Sequence, residues 1–183
     1  MPPCRVLESA LTVNLSAVQL AHADLPLLVG TILKETGLAP ERLELELTES
    51  TIFANRARSL EILREIKAMG VGIALDDFGT GYSSLDTLRA FPFDKIKLDG
   101  SFVKEIDSDP QAIAIIRAVL ALGKSLGVPV LAEGIETPDQ LQIISGEGCN
   151  EIQGFLFGRP VPLNQLVSSG QIRLIGNTTN KSS

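Results

Sequence analysis

Short apolar runs that end in acids or amides, separated by stretches of helical spacing, constrain this chain more than any other feature. Val71-Gly-Ile-Ala-Leu75 is apolar throughout and too brief for a helix, so it reads as a buried strand. It breaks into Asp76-Asp77-Phe78-Gly79-Thr80-Gly81-Tyr82, a carboxylate pair followed by a glycine-rich turn. Two acids at the end of a buried strand cost several kcal/mol unless a cation or hydrogen bonds compensate them. Leu43-Glu-Leu-Glu-Leu-Thr-Glu49 alternates with period two, setting Leu43, Leu45 and Leu47 opposite Glu44 and Glu46. Lys95-Ile-Lys-Leu-Asp99 does the same, with Ile96 and Leu98 opposite Lys95, Lys97 and Asp99. Leu131-Ala-Glu133 brings an acid to Gly134, and Val13-Asn14 and Ile152-Gln153 end in amides.

An antiparallel sheet with one wet face would explain these charges as solvated side chains. Residues 17–36, 56–69, 111–126 and 137–145 argue against it, because each places apolar residues at helical spacing, as with Leu60, Leu63 and Ile66. Strand and helix alternate, which predicts an α/β fold with a parallel sheet covered by helices. The expected strands lie near 10–14, 43–48, 71–77, 94–99, 129–134 and 151–154. In a TIM-type (β/α) barrel the carboxyl ends of the strands converge on one face, where active sites lie. Asn14, Glu46, Asp76, Asp77, Lys97, Glu133 and Gln153 would then line one mouth.

Composition narrows the chemistry. At 183 residues the chain is long enough for one domain with a real core. Its net charge of −6 argues against a long groove for polymeric nucleic acid. No run approaches the length that spans a bilayer, and no signal peptide opens the chain, so the expected location is cytoplasmic, without membrane insertion. The single histidine, His22, falls in a helical stretch and excludes histidine triads and multi-histidine metal sites by count. Cys4 and Cys149 form no zinc or disulfide framework, and Cys149 reads as a small buried residue. What remains is carboxylates, amides and a lysine. Such oxygen donors suit Mg²⁺ or Mn²⁺, and a pair of these ions could hold a phosphodiester for in-line attack. Lys97 could orient the attacking water or neutralise charge on phosphorus.

The same blocks resemble the EAL-domain phosphodiesterases that hydrolyse cyclic di-GMP to linear pGpG. The resemblance runs from Val13-Asn-Leu-Ser16 to Gly154-Phe-Leu-Phe-Gly-Arg-Pro160. Between them stand Glu44-Leu-Glu-Leu-Thr-Glu-Ser50, Leu75-Asp-Asp-Phe-Gly-Thr-Gly-Tyr-Ser-Ser-Leu85, Phe93-Asp-Lys-Ile-Lys-Leu-Asp99 and Ala132-Glu-Gly-Ile-Glu-Thr137. The resemblance implies two metal ions, Mg²⁺ or Mn²⁺, held by Asn14, Glu46, Asp76 and Asp77, with Asp76 shared. It implies catalytic roles for Glu133 as general base or ligand, for Lys97 as a water- or metal-bridging group, and for Gln153 beside the water network. Glu49 would anchor the loop Phe78–Ser84, which in the family couples the site to dimerisation, and Glu136 would support the same region. Both could equally be exposed acids at helix starts, favoured there by the dipole. Lys95 would neutralise Asp99 or Glu44 low in the barrel. The implied partners are cyclic di-GMP and a second copy, in a homodimer with Tyr82–Ala90 as contact surface. Substrate-binding residues beyond these are not identified.

The sequence contains no Glu-Ala-Leu, the motif that names the family and supplies a metal-binding Glu from its first strand. Its expected place lies upstream of Asn14, beyond Met1. About six strands are legible where such a barrel has eight. The expectation is therefore a TIM-type barrel incomplete at the amino terminus, an EAL domain over 1–176 lacking its first strand and helix, with a frayed polar tail over 177–183. Sheet edges near the first and last strands would be unpaired. With one ligand absent, turnover is expected to be weak or absent. The alternative is a non-catalytic cyclic-di-GMP receptor or protein-interaction module on a degenerate EAL fold. A smaller departure is Gly100, where the family often carries a basic residue. An enolase-type reading of Lys95 and Lys97 ranks low, since Glu46, Asp76 and Asp77 precede the lysines instead of following them.

Overall fold

The computed structural model describes residues 10–79 and 85–168, except for the side chains of 85–87, 163 and 167. The Thr80–Ser84 part of the expected loop and dimer surface, Cys4 and the boundary at 176 lie outside the described residues. Among the described residues six strands form one sheet: β1 Leu11–Asn14, β2 Leu43–Thr48, β3 Gly72–Phe78, β4 Lys95–Leu98, β5 Val130–Ala132 and β6 Glu151–Ile152. They lie in sequence order and every pairing is parallel. The fold is an α/β half-barrel of the TIM type, curled with its helices outside.

Each crossover is helical for a legible reason. α1 Ala17–Leu20 starts at a capping box in which Ser16 and Gln19 satisfy each other's backbone donors. α2 Leu25–Thr36 stops at Gly37, which takes the left-handed conformation (φ 68°). α3 Glu49–Phe53 and α4 Arg56–Ala68 follow β2, and Asn55 caps the second. α5 Leu85–Ala90 and α6 Gly100–Lys104 flank β4. α7 Pro110–Leu126 has Asp109 as cap, Pro110 in the first turn and Gly127 at its end. α8 Pro138–Gly146 opens on a second capping box, Thr137 with Gln140. α9 Leu163–Ser168 comes last among the described residues.

The expected stretch 17–36 is thus two helices, and His22 lies exposed between them rather than within one. The sequence reading also missed α3, α5, α6 and α9. Each has five or six residues, too short to display a helical period.

Period two decides what each strand buries. Leu45, Leu47, Ile73, Leu75, Ile96 and Leu98 face the helices and are almost fully buried. Glu44, Glu46, Asp76, Lys95 and Lys97 face the concave side. β1 and β6 each have one strand neighbour among the described residues, and all four residues of β1 are exposed.

Candidate active site at the carboxyl ends of the strands

The concave face carries one buried ammonium inside a cage of acids. Lys97 Nζ lies 2.6 Å from Glu46 Oε1, 3.0 Å from Asp76 Oδ1 and 3.0 Å from Glu133 Oε1. Lys97 is 5% exposed and Glu46 8%. The three acids come from β2, β3 and the residue following β5, while the lysine comes from β4, so no local segment could assemble the group. Burial alone would lower the Lys97 pKa. The hydrogen bonds to Glu46, Glu133 and Asp76 outweigh it and hold the ammonium above its ordinary value. Glu133 is displaced in the opposite chemical sense. Burial pushes its carboxyl up, Lys97 opposes this, and the charges of Asp76 and Glu46 add to the rise.

A regular strand would send Asp76 and Asp77 to opposite faces. The pairing of β3 with β4 shifts register between Leu75 and Phe78, and Asp77 takes a positive φ of 53°. This irregularity re-aims the second carboxylate, a use of bulged strands common beside active sites. Asp77 is exposed, with its side chain beside that of Asp99. Burial, followed by repulsion from Asp76 and Asp99, raises the Asp77 pKa. Asp99 is lowered, first by its bonds to Ser101 at the start of α6. Asp99 is a neighbour that the sequence reading did not assign to the site. The signal was present in Asp99-Gly-Ser101, a helix-capping pattern.

The remaining expected residues stand around this centre. Asn14 pairs in register with Glu46 but lies on the exposed edge strand. Gln153 is exposed just past β6, its backbone N–H donating to Ala132 O at 2.8 Å and its carbonyl accepting from Ile135 N at 3.1 Å. Glu49 is buried at the first position of α3, not an exposed helix-start acid. Glu136 is exposed, and its backbone N–H donates to Gln140 Oε1 at 2.8 Å. Lys95 pairs with Glu44 at 3.2 Å and with Glu151 at 3.5 Å. Of its two expected partners it takes Glu44. Cys149 is buried with its thiol against the Val130 and Glu151 carbonyls, consistent with a packing residue.

The donor set fits a hard divalent cation in kind and charge. Glu46, Asp76, Asp77 and Glu133 supply four carboxylates against one ammonium, with an amide oxygen at Asn14. Among the described residues no three acids are arranged as a ready metal cage, because Lys97 stands where they converge. A cation binding here would take over part of the charge compensation that Lys97 now provides.

Comparison with known proteins gives this geometry a lineage. The model of the EAL domain matches residues 5–160. An uncharacterized signaling protein of Caulobacter vibrioides is 56% identical over 156 residues, covering 85% of this chain and 19% of the relative. The bifunctional diguanylate cyclase/cyclic di-GMP phosphodiesterase MucR of Pseudomonas aeruginosa is 47% identical over 159 residues, covering 87% of this chain and 23% of that protein. This chain therefore spans about a fifth of the length of these relatives. Among solved structures, PaMucR phosphodiesterase in complex with c-di-GMP superposes with a TM-score of 0.82 at 47% identity, over 86% of this chain and 64% of that one. A manganese/cyclic-di-GMP complex of Klebsiella pneumoniae BlrP1 gives a TM-score of 0.77 at 34% identity, over 82% and 39%. By sequence and by fold, this chain belongs to the EAL domain family.

Proposed function

We propose that this chain is a metal-dependent phosphodiesterase that opens cyclic di-GMP to linear pGpG. The observation that carries the reading is the Lys97 ammonium enclosed by Glu46, Asp76 and Glu133 at the carboxyl mouth of the sheet. Solved relatives with this fold carry c-di-GMP and, in one case, manganese. In this reaction water adds to phosphorus, the bond from phosphorus to the 3′ oxygen breaks, and the product retains a 5′ phosphate.

Asn14, Glu46, Asp76 and Asp77 would hold Mg²⁺ or Mn²⁺, in two sites sharing Asp76. Bound there, the cations would supply Lewis-acid charge to the phosphodiester and acidify water. Glu133, with its pKa raised, is suited to accept the proton of the attacking water, since a base works best with its pKa near the operating pH. Lys97 is held too basic to give up a proton near neutrality. Its role is therefore charge, directed at the oxygens that become more negative as phosphorus becomes pentacoordinate. Gln153 would orient the water, and Glu49 and Glu136 would steady the loop over 78–84. We place the protein in the cytoplasm as a homodimer whose contact includes the segment 82–90. Among the described residues, no helix is long and apolar enough to cross a membrane.

A second reading is binding without turnover. The position of Lys97 at the point where Glu46, Asp76 and Glu133 converge, with no ready three-acid metal cage among the described residues, favours it. Chromatography of cyclic di-GMP incubated with the purified chain and Mn²⁺ separates the two. The phosphodiesterase reading expects pGpG that disappears with EDTA and with Glu133→Ala. Intact substrate with saturable binding would establish the receptor reading instead.

A further inference from the structure

A second ion layer lies below the catalytic one, and the chemistry proposed above does not use it. Lys95 Nζ, on β4, lies 3.2 Å from Glu44 on β2 and 3.5 Å from Glu151 on β6. Adjacent strands are about 4.8 Å apart, so β2 and β6 would stand about 19 Å apart in a flat sheet. One ammonium can meet both acids only because the sheet is curled toward it. Gly72 is the register partner of Glu44, and a Cβ there would meet Leu43 O at 3.5 Å and Glu44 Cα and Cβ at 3.7 Å, ordinary van der Waals contact.

Lys95 and Lys97 project from the same face of β4, two residues and about 6.6 Å apart along the strand. Glu44 and Glu46 are likewise two residues apart on β2. Without the lower ammonium, Glu44 and Glu151 would keep their negative charge on the half-buried concave face. The nearest remaining cation on β4 would be Lys97. It would be drawn away from Asp76 and Glu133, and the repulsion between acids would open the curl on which the upper group converges.

We propose that Lys95 is a positioning residue for this site. By pairing with Glu44 and Glu151 it holds the curvature that brings Glu46, Asp76 and Glu133 together, and it reserves Lys97 for the upper layer. The part of this inference that concerns metal binding rests on the functional reading above; the part that concerns Lys97 does not.

The test reads the Lys97 side-chain ammonium by nitrogen-15 NMR in the metal-free 183-residue protein, and Mn²⁺ affinity by electron paramagnetic resonance. Lys95→Met should shift or broaden the Lys97 signal and weaken Mn²⁺ binding about tenfold or more, the range seen when outer supports of metal ligands are removed. Lys95→Arg, which keeps a cation able to reach both acids, should retain both properties. If Lys95→Met does not fold, Glu151→Gln tests the same link, because it removes one arm at the more exposed end. A folded Lys95→Met with Lys97 signal and Mn²⁺ affinity unchanged would overturn the proposal, as would failure of Lys95→Arg to preserve them. Mn²⁺ binding without hydrolysis by the parent chain would instead overturn the phosphodiesterase reading, leaving the Lys97 result to stand.

Discussion

Lys97 on β4 lies 2.6 Å from Glu46 on β2, reaching across the full width of β3. That reach depends on small residues between them. Ala74, the register partner of both Glu46 and Lys95, is fully buried and leaves the concave face open. It also depends on mutual compensation, because a buried ammonium and a buried carboxylate each cost several kcal/mol alone.

Removing the ammonium should therefore cost far more than a surface charge would. Lys97→Met leaves Glu46, Asp76 and Glu133 facing one another, and we expect unfolding in EDTA to require about 3–5 kcal/mol less than in the parent. Urea denaturation measures this. Addition of Mn²⁺ should restore part of the loss, since a divalent cation can replace the missing charge. Equal stability of mutant and parent would mean that the cage contributes nothing to folding.

The raised pKa of Glu133 makes a signed prediction about pH. Its folded-state carboxyl binds protons more tightly than the unfolded one, whose ordinary value is 4.5. Its contribution to stability is then fully present below that value and is lost as pH rises through the higher folded value. In metal-free protein, Glu133→Gln should reduce the downward slope of stability against pH in the window opening at 4.5. Turnover should rise with pH through the same folded value if Glu133 is the base. A pH profile of initial rates checks the second statement, and denaturation at several pH values checks the first.

Cation binding should be visible as stability. At a free Mn²⁺ concentration of 100 times Kd, linkage gives about 2.7 kcal/mol, or about 5–11 °C in melting temperature for a chain of this size. The rise should reverse with EDTA and should be largely absent in Asp76→Asn. Thermal melts with and without chelator decide it.

Gly154 should tolerate no side chain. A Cβ there would collide with the Ile135 backbone, which hydrogen-bonds Gln153 O on one side and Leu156 N on the other. Gly154→Ala should destabilise by about 1–3 kcal/mol and displace Gln153, lowering turnover beyond the stability loss. Gly146→Ala meets no neighbouring atom within 4 Å and should be close to neutral. A melt and a rate measurement on the two variants make the comparison.

Much of this is legible in the amino-acid sequence. Alternation in Leu43–Thr48 and Lys95–Leu98 specified which side chains enter the core, because a strand has a period of two regardless of its surroundings. Helical crossovers specified parallel pairing, and parallel pairing placed Glu46, Asp76, Lys97 and Glu133 at one mouth. Asn14, Glu46, Asp76, Asp77, Lys97, Glu133 and Gln153 were therefore legible as candidates from strand ends alone, with Lys95 as a neutralising charge below them.

Their partnerships were not, since pairing among residues on different strands depends on curl and stagger, which no local pattern encodes. Only the tertiary structure decided that Lys97 takes three acids, that Asp77 turns to Asp99, and that Lys95 takes Glu44 and Glu151 rather than Asp99. It also decided that Glu49 is buried while Glu136 is exposed, though both are acids beside helix starts. A sequence carries the period of each element. Distances between elements come from how the sheet bends, and the bending is set by every packed residue at once.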